Sequence, residues 1–141
     1  HEIPNHDRIL YPLLRRKIGD LYIEVSDFVD TKNITDDDVY MIFKELMDSG
    51  IVWVDPRIEN VGRLLKDSNS YDIYVSEETV GLIGKNKIPR KASELAIIDT
   101  DLIFYEYNIP WDKLYKYDLN LIPYNKMIDR YMKEKQEINH L

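Results

Sequence analysis

The sequence predicts an α+β protein: a core over residues 1–84 running helix, short strand, helix, helix, strand, and a helical extension over 85–141 packed on it. Three observations carry that expectation. Leu21, Ile23 and Val25 alternate with Tyr22 and Glu24, the period of a strand. Thr35 precedes three aspartates and an apolar stripe at Val39, Ile42, Phe43, Leu46 and Met47, the pattern of a capped amphipathic helix. Tyr124, Met127, Ile128, Tyr131, Met132, Ile138 and Leu141 form a second, longer stripe at helical spacing.

Each element has its own signal. Asp7 is placed to cap a first helix reaching about Lys17, with Ile9, Leu10, Leu13, Leu14 and Ile18 on one face. Pro12 sits near its start, where a missing N–H costs least, and Gly19-Asp20 stops it. The strand over 21–25 follows, and Ser26 caps a brief helix over 27–32. Asp36, Asp37 and Asp38 favour the positive end of the next helix, which Gly50 ends. Ile51–Val54 reads as a buried strand and Asp55-Pro56 as a turn. A short helix over 57–66, a loop over 67–70, a strand over 71–76 and its partner over 79–83 come next. Lys85–Lys91 reads as a loop. Ser93 is placed to cap a helix to about Asn108, Pro110 opens a short helix with Trp111, Leu114 and Tyr115, and Pro123 opens the last one.

Composition narrows the class. The 141 residues suit one domain, or a small domain with an appendage, and 44% hydrophobic residues suffice for a core. Cysteine is absent, which removes disulfides, thiolate zinc sites and cysteine nucleophiles and fits a reducing, cytoplasmic setting. No apolar run reaches the roughly 18–20 residues that span a bilayer, and His1, Glu2, His6, Asp7 and Arg8 do not suit a signal peptide, so no membrane partner is expected. A chain that does not begin with Met reads as an engineered fragment, a cleavage product or a segment of something longer. A net charge of −7 gives no general footprint for DNA, although a local basic face remains compatible with it. The 11 tyrosines fit either AT-rich coding or interfaces, where one polar tip on a large apolar body is favoured.

Residues 8–54 resemble the winged-helix fold, and within it the N-terminal DNA-binding domains of some restriction endonucleases. The likeness is carried by Ile3-Pro4, by Ile9-Leu10-Tyr11-Pro12-Leu13-Leu14, and by the run Lys44-Glu45-Leu46-Met47-Asp48-Ser49-Gly50-Ile51-Val52. The resemblance implies that the helix over 36–49 would read DNA. Here that helix would offer three aspartates to phosphates, and the wing between Val54 and Tyr71 is long; both departures favour a protein partner.

Catalytic material is sparse. His1, His6 and His140 lie near the ends, and no Ser stands in a nucleophile elbow or Gly in a P-loop. Asp99 and Asp101 would share a face on a strand and hold a divalent metal, with Glu106 nearby. Helical spacing at 95, 98, 102 and 105 puts them instead on a wet helix side, so neither a metal nor a cofactor is expected. Gly81-Leu82-Ile83-Gly84 has the spacing of an RNA-clamping loop, but its apolar middle suits a hairpin better. Lys85, Lys87, Arg90 and Lys91 form the main basic cluster, a candidate contact for nucleic acid or partner. Tyr124, Met127, Tyr131, Met132 and Ile138 are the candidate interface, because the last stripe is longer than a small core covers.

The expected function is therefore non-enzymatic: a winged-helix-type module that binds DNA or protein in transcription, replication or restriction control. The alternative is a viral or phage assembly protein, in host cytoplasm or virion, whose Tyr-rich helices self-associate. A metal-dependent nucleic-acid enzyme at Asp99 and Asp101 stands third.

Overall fold

The computed structural model describes residues 4–10, 14–25, 29–71, 75–76, 81–82, 87–114 and 119–139. They form a mixed α+β fold of antiparallel sheets with three α-helices. Strands β1 (Leu14–Ile18) and β2 (Leu21–Val25) make a hairpin, Leu14 opposite Val25 and Ile18 opposite Leu21. Gly19 has φ +60°, the left-handed conformation that two-residue hairpin loops need at their first position. Strand β3 (Val29–Asp30) leads to helix α1 (Asp36–Asp48).

Between Ile51 and Tyr105 the described residues pair as the two arms of one bent antiparallel ribbon. The outgoing arm holds β4 (Ile51–Trp53), β5 (Val61–Leu64) and β6 (Ser68–Tyr71); near the tip lie β7 (Val75–Ser76) and β8 (Gly81–Leu82). The returning arm holds β9 (Lys87–Arg90), β10 (Leu95–Ile97) and β11 (Ile103–Tyr105). β5–β10 and β6–β9 share one register: Val61 faces Ile97, Ser68 faces Arg90 and Tyr71 faces Lys87. β4–β11 is offset from it, with Trp53 facing Ile103. The offset arises at the bend, where residues 55–59 of one arm stand opposite only 99–101 of the other. Hydrogen bonds from Val54 N–H to the Leu102 carbonyl and from Ile98 N–H to the Asn60 carbonyl, both 2.9 Å, bracket it. β8 ties the ribbon to β1 through Gly81 opposite Arg16, and β3 pairs along β5.

The core follows from the period of two. β4 is buried along its length, and its alternate side chains serve different clusters. Ile51 and Trp53 join Val39, Ile42, Phe43 and Leu46 of α1 with Ile97 and Ile103; Val52 and Val54 join Phe104 and Leu114 on the other side. Leu10, Leu64 and Ala96 form a third, smaller cluster. α1 opens on a reciprocal capping box, with Thr35 Oγ1 accepting from Asp38 N–H and the Asp38 carboxylate accepting from Thr35 N–H, each at 3.1 Å.

Helix is found where expected over 36–48, 111–114 (α2) and 122–139 (α3), and elsewhere the expectation is corrected. Leu14–Ile18 is strand, and Asp7 and Arg8 lie in a turn. The helical spacing misleads there because Ile9 and Leu10, adjacent in sequence, enter different clusters, as on a strand. Val29–Asp30 is likewise strand, so one α-helix rather than three falls among the described residues of 1–54. The helices expected over 57–66 and 93–108 are arms of the ribbon, apart from 3-10 turns at Ile58–Asn60 and Glu106–Asn108. Positions 95, 98, 102 and 105 match a helix by coincidence; Leu95-Ala96-Ile97 are all buried, as in a strand covered on both faces. Ser93 caps no helix: its φ is +71°, in the turn that joins β9 to β10. Lys87–Arg90 is strand where a loop was expected, so much of 85–105 pairs with β4, β5 and β6 and the helical part begins at Trp111. Gly81-Leu82 pairs with Val75-Ser76, as the hairpin reading required; Ile83 and Gly84 lie outside the described residues.

Phe43 is fully buried in the central cluster, and its ring meets Tyr124 edge-on at 6.1 Å. Phe43→Ala should lower unfolding free energy by about 3–5 kcal/mol, read by urea denaturation. A Cβ on Gly62 would stand 2.7 Å from Val29 Cγ2, so Gly62→Ala should cost about 1–3 kcal/mol by pushing β3 off β5.

Candidate functional site

Of the basic cluster, Arg90 is not a surface residue. Arg90 is only 2% exposed, and its guanidinium donates to the carbonyls of Asp7 and Ile9. It therefore holds the chain's own N-terminal segment rather than a partner, because a buried guanidinium needs acceptors at hand. Lys91 stays exposed, 3.9 Å from Asp67 Oδ2. Lys87 lies in β9 opposite Tyr71, and Lys85 lies outside the described residues. Asp99 and Asp101 sit at the bend of the ribbon, where Asp99 Oδ1 accepts Asp101 N–H at 3.1 Å and shapes the turn. Among the described residues no group of three or more His, Asp or Glu could hold a metal ion. Nor is any described helix long and apolar enough to cross a membrane.

α3 carries the more informative surface. None of its described side chains is buried, in contrast to α1, which buries five. One face of α3 rests on the domain through Tyr124, Met127, Ile128 and Tyr131. Two tyrosine clamps fasten it. Tyr40 of α1 donates its hydroxyl to Glu134 Oε2 at 2.7 Å, and Tyr131 donates to Asp48 Oδ1 at 2.7 Å. Cations complete both: Arg130 lies 3.9 Å over the Tyr40 ring and 2.8 Å from Asp37, and Lys135 is 3.1 Å from Asp48. The Tyr40 hydroxyl is held well above its ordinary range and the Tyr131 hydroxyl is raised too, by burial first and then by their carboxylate partners. The same hydrogen bonds hold Asp48 and Glu134 below the ordinary carboxylate range.

Of the expected interface residues, Tyr124, Met127 and Tyr131 are thus engaged within the chain. Met132 and Ile138 are not: they are 51% and 58% exposed. Ile122, at 61%, is a third exposed apolar residue on α3. It lines a cleft of about 420 Å³ with Pro56, Ile58, Pro123 and Met127, rimmed by Asp36, Arg57, Glu59, Lys126 and Arg130. Asp55 shapes one wall. Its carboxylate and carbonyl accept from Asn60 Nδ2 at 3.0 Å, and its carboxylate holds Arg57 at 2.7 Å, which stiffens the loop that presents Ile58. The cleft draws on three separated stretches of chain, so no local pattern announces it.

Because the folded-state pKa values of Asp48 and Glu134 lie below the ordinary 3.8 and 4.5, their contribution is whole above about pH 4.5 and is lost as pH falls through the lowered values. α3 should therefore loosen as pH falls below that point. The Trp111 indole, 6.2 Å from the Tyr124 ring, should report this as an NMR shift below about pH 4 that Asp48→Asn diminishes.

No protein-family model, no curated protein and no solved structure matches this chain.

Proposed function

We propose that this chain is a non-enzymatic interaction module whose partner is a protein, in the first place a second copy of itself, taken on the α3 side. The observation that carries the reading is the set of exposed apolar residues Ile122, Met132 and Ile138 on a helix that covers its own domain with one face only. The cleft beside Ile122 suits an apolar side chain from the partner, and its charged rim gives that side chain an orientation.

The resemblance to winged-helix domains would place DNA against α1. Asp37 and Asp38 of that helix are committed to Arg130 and to its own cap, and α3 lies across it, which supports a protein partner over DNA. The setting proposed with it is a cytoplasmic regulator in transcription, replication or restriction control, or, from the tyrosine content, a subunit of a viral assembly; of the three helices that the winged-helix resemblance implies within 1–54, α1 is the one found among the described residues.

Sedimentation velocity over a concentration series tests the reading. Wild type should associate reversibly, Ile122→Asp with Ile138→Asp should stay monomeric at an unchanged melting temperature, and neither should shift duplex DNA at low salt. A monomeric wild type that shifts DNA would move the assignment to nucleic acid.

A further inference from the structure

We infer that the segment Pro4–Leu10 is a proton-sensitive latch, opened when His6 gains a second proton. The segment is not loose coil. Ile9 and Leu10 are buried in two different clusters. Leu10 N–H donates to the Ile97 carbonyl at 2.9 Å, and Ile97 N–H donates to the Arg8 carbonyl at 2.7 Å, so the segment covers the outer edge of β10. Arg8 forks onto the Glu45 carboxylate of α1 at 2.7 and 3.2 Å and reaches the Leu95 carbonyl at 3.2 Å. Arg90 of β9 donates to the carbonyls of Asp7 and Ile9, and Asn5 N–H donates to the Tyr105 hydroxyl at 3.3 Å.

These attachments require the turn at His6. The His6 carbonyl accepts Ile9 N–H at 3.1 Å, and the His6 ring accepts Arg8 N–H at Nδ1, at 3.0 Å. An accepting Nδ1 belongs to a neutral imidazole with its proton on Nε2. Protonation turns that nitrogen into a donor facing another donor, and the bond that shapes the turn is lost. The surroundings divide. Asp7 on the segment and Glu45 on α1 favour the cation; partial burial, Arg8 on the segment and Arg90 on β9 oppose it. Burial is the largest influence, and the His6 pKa lies below its ordinary 6.5. The open segment binds the proton more readily than the closed one, so closure is complete above about pH 6.5 and weakens as pH falls toward the lowered value. Opening uncovers the β10 edge and the Ile9 side of the central cluster.

Amide hydrogen exchange on the full chain between pH 7.5 and 5, corrected for intrinsic rates, tests the latch. Protection of the Leu10 and Ile97 amides should fall in step with the NMR titration of His6 itself. The Val54 amide, in the β4 ladder, should hold. The fall should be about tenfold for each unit by which the pKa of His6 is lowered. His6→Asn keeps an oxygen acceptor for Arg8 N–H in the same two-residue reach but does not titrate, so its profile should be flat. Protection that stays constant in wild type while His6 titrates, or an equal loss in His6→Asn, would overturn the latch. If His6→Asn fails to fold, the wild-type comparison between the Leu10 midpoint and the His6 midpoint decides alone, and midpoints that differ by more than about one unit reject it.

Discussion

Everything in this fold leans on one strand with no wet face. Ile51 to Val54 are all buried, and their alternation sends Ile51 and Trp53 to α1 and Val52 and Val54 to Leu114 and Phe104. A strand buried on both sides must be covered on both sides, which fixes what its neighbours can be. α1 supplies one cover. α2 and the start of α3 supply part of the other, which is why Tyr124 touches both clusters. The returning arm of the ribbon completes the arrangement, because a buried strand also needs its backbone groups paired, and β11 pairs those along one edge.

How much of this was legible varied with the range of the interactions. α1 was readable to within a residue because its signals are local: Thr35 and Asp38 cap each other, and the stripe from Val39 to Leu46 repeats within the helix. α3, α2 and the burial of 51–54 were readable for the same reason. The ribbon was not. Ile97 belongs opposite Val61 and Ile103 opposite Trp53, and nothing in either stretch names its distant partner. A run such as Leu95-Ala96-Ile97 is apolar whether it becomes strand or helix, and accidental spacing at 98, 102 and 105 tipped the expectation the wrong way. Arg90 shows the same limit at the site. Its neighbours Lys85, Lys87 and Lys91 make it look like surface, while its acceptors at Asp7 and Ile9 lie some eighty residues upstream. The cleft at Ile122 and Ile58 has no signal in the sequence because it exists only once three parts of the chain meet.

The surface of α3 draws its character from a division of labour along one helix. Polar clamps, not deep burial, hold it in place, since the cluster-facing residues of α3 are only partly buried while Tyr40 and Tyr131 reach carboxylates across the contact. Exposed ion pairs contribute little each, but tyrosine hydroxyls on carboxylates add charge-assisted bonds with fixed geometry. Such a helix can keep a defined orientation and still leave apolar side chains uncovered at both ends, Ile122 at the first and Ile138 near the last.

The bent ribbon has a kinetic consequence. The partners in β6 and β9 stand 16 to 22 positions apart in the chain, whereas those in β4 and β11 stand 50 to 54 apart. The pairs that close the shortest loops therefore form near the tip, far from the strand that organises the core. Pairing β4 with β11 means closing the longest loop of the ribbon, and that closure must be met before the buried contacts reward it. Zipping from the tip alone stalls at the bend, where the two arms change register. A chain built this way is expected to fold more slowly than a helical bundle of its size, with α1 and β4 already in contact when the returning arm arrives.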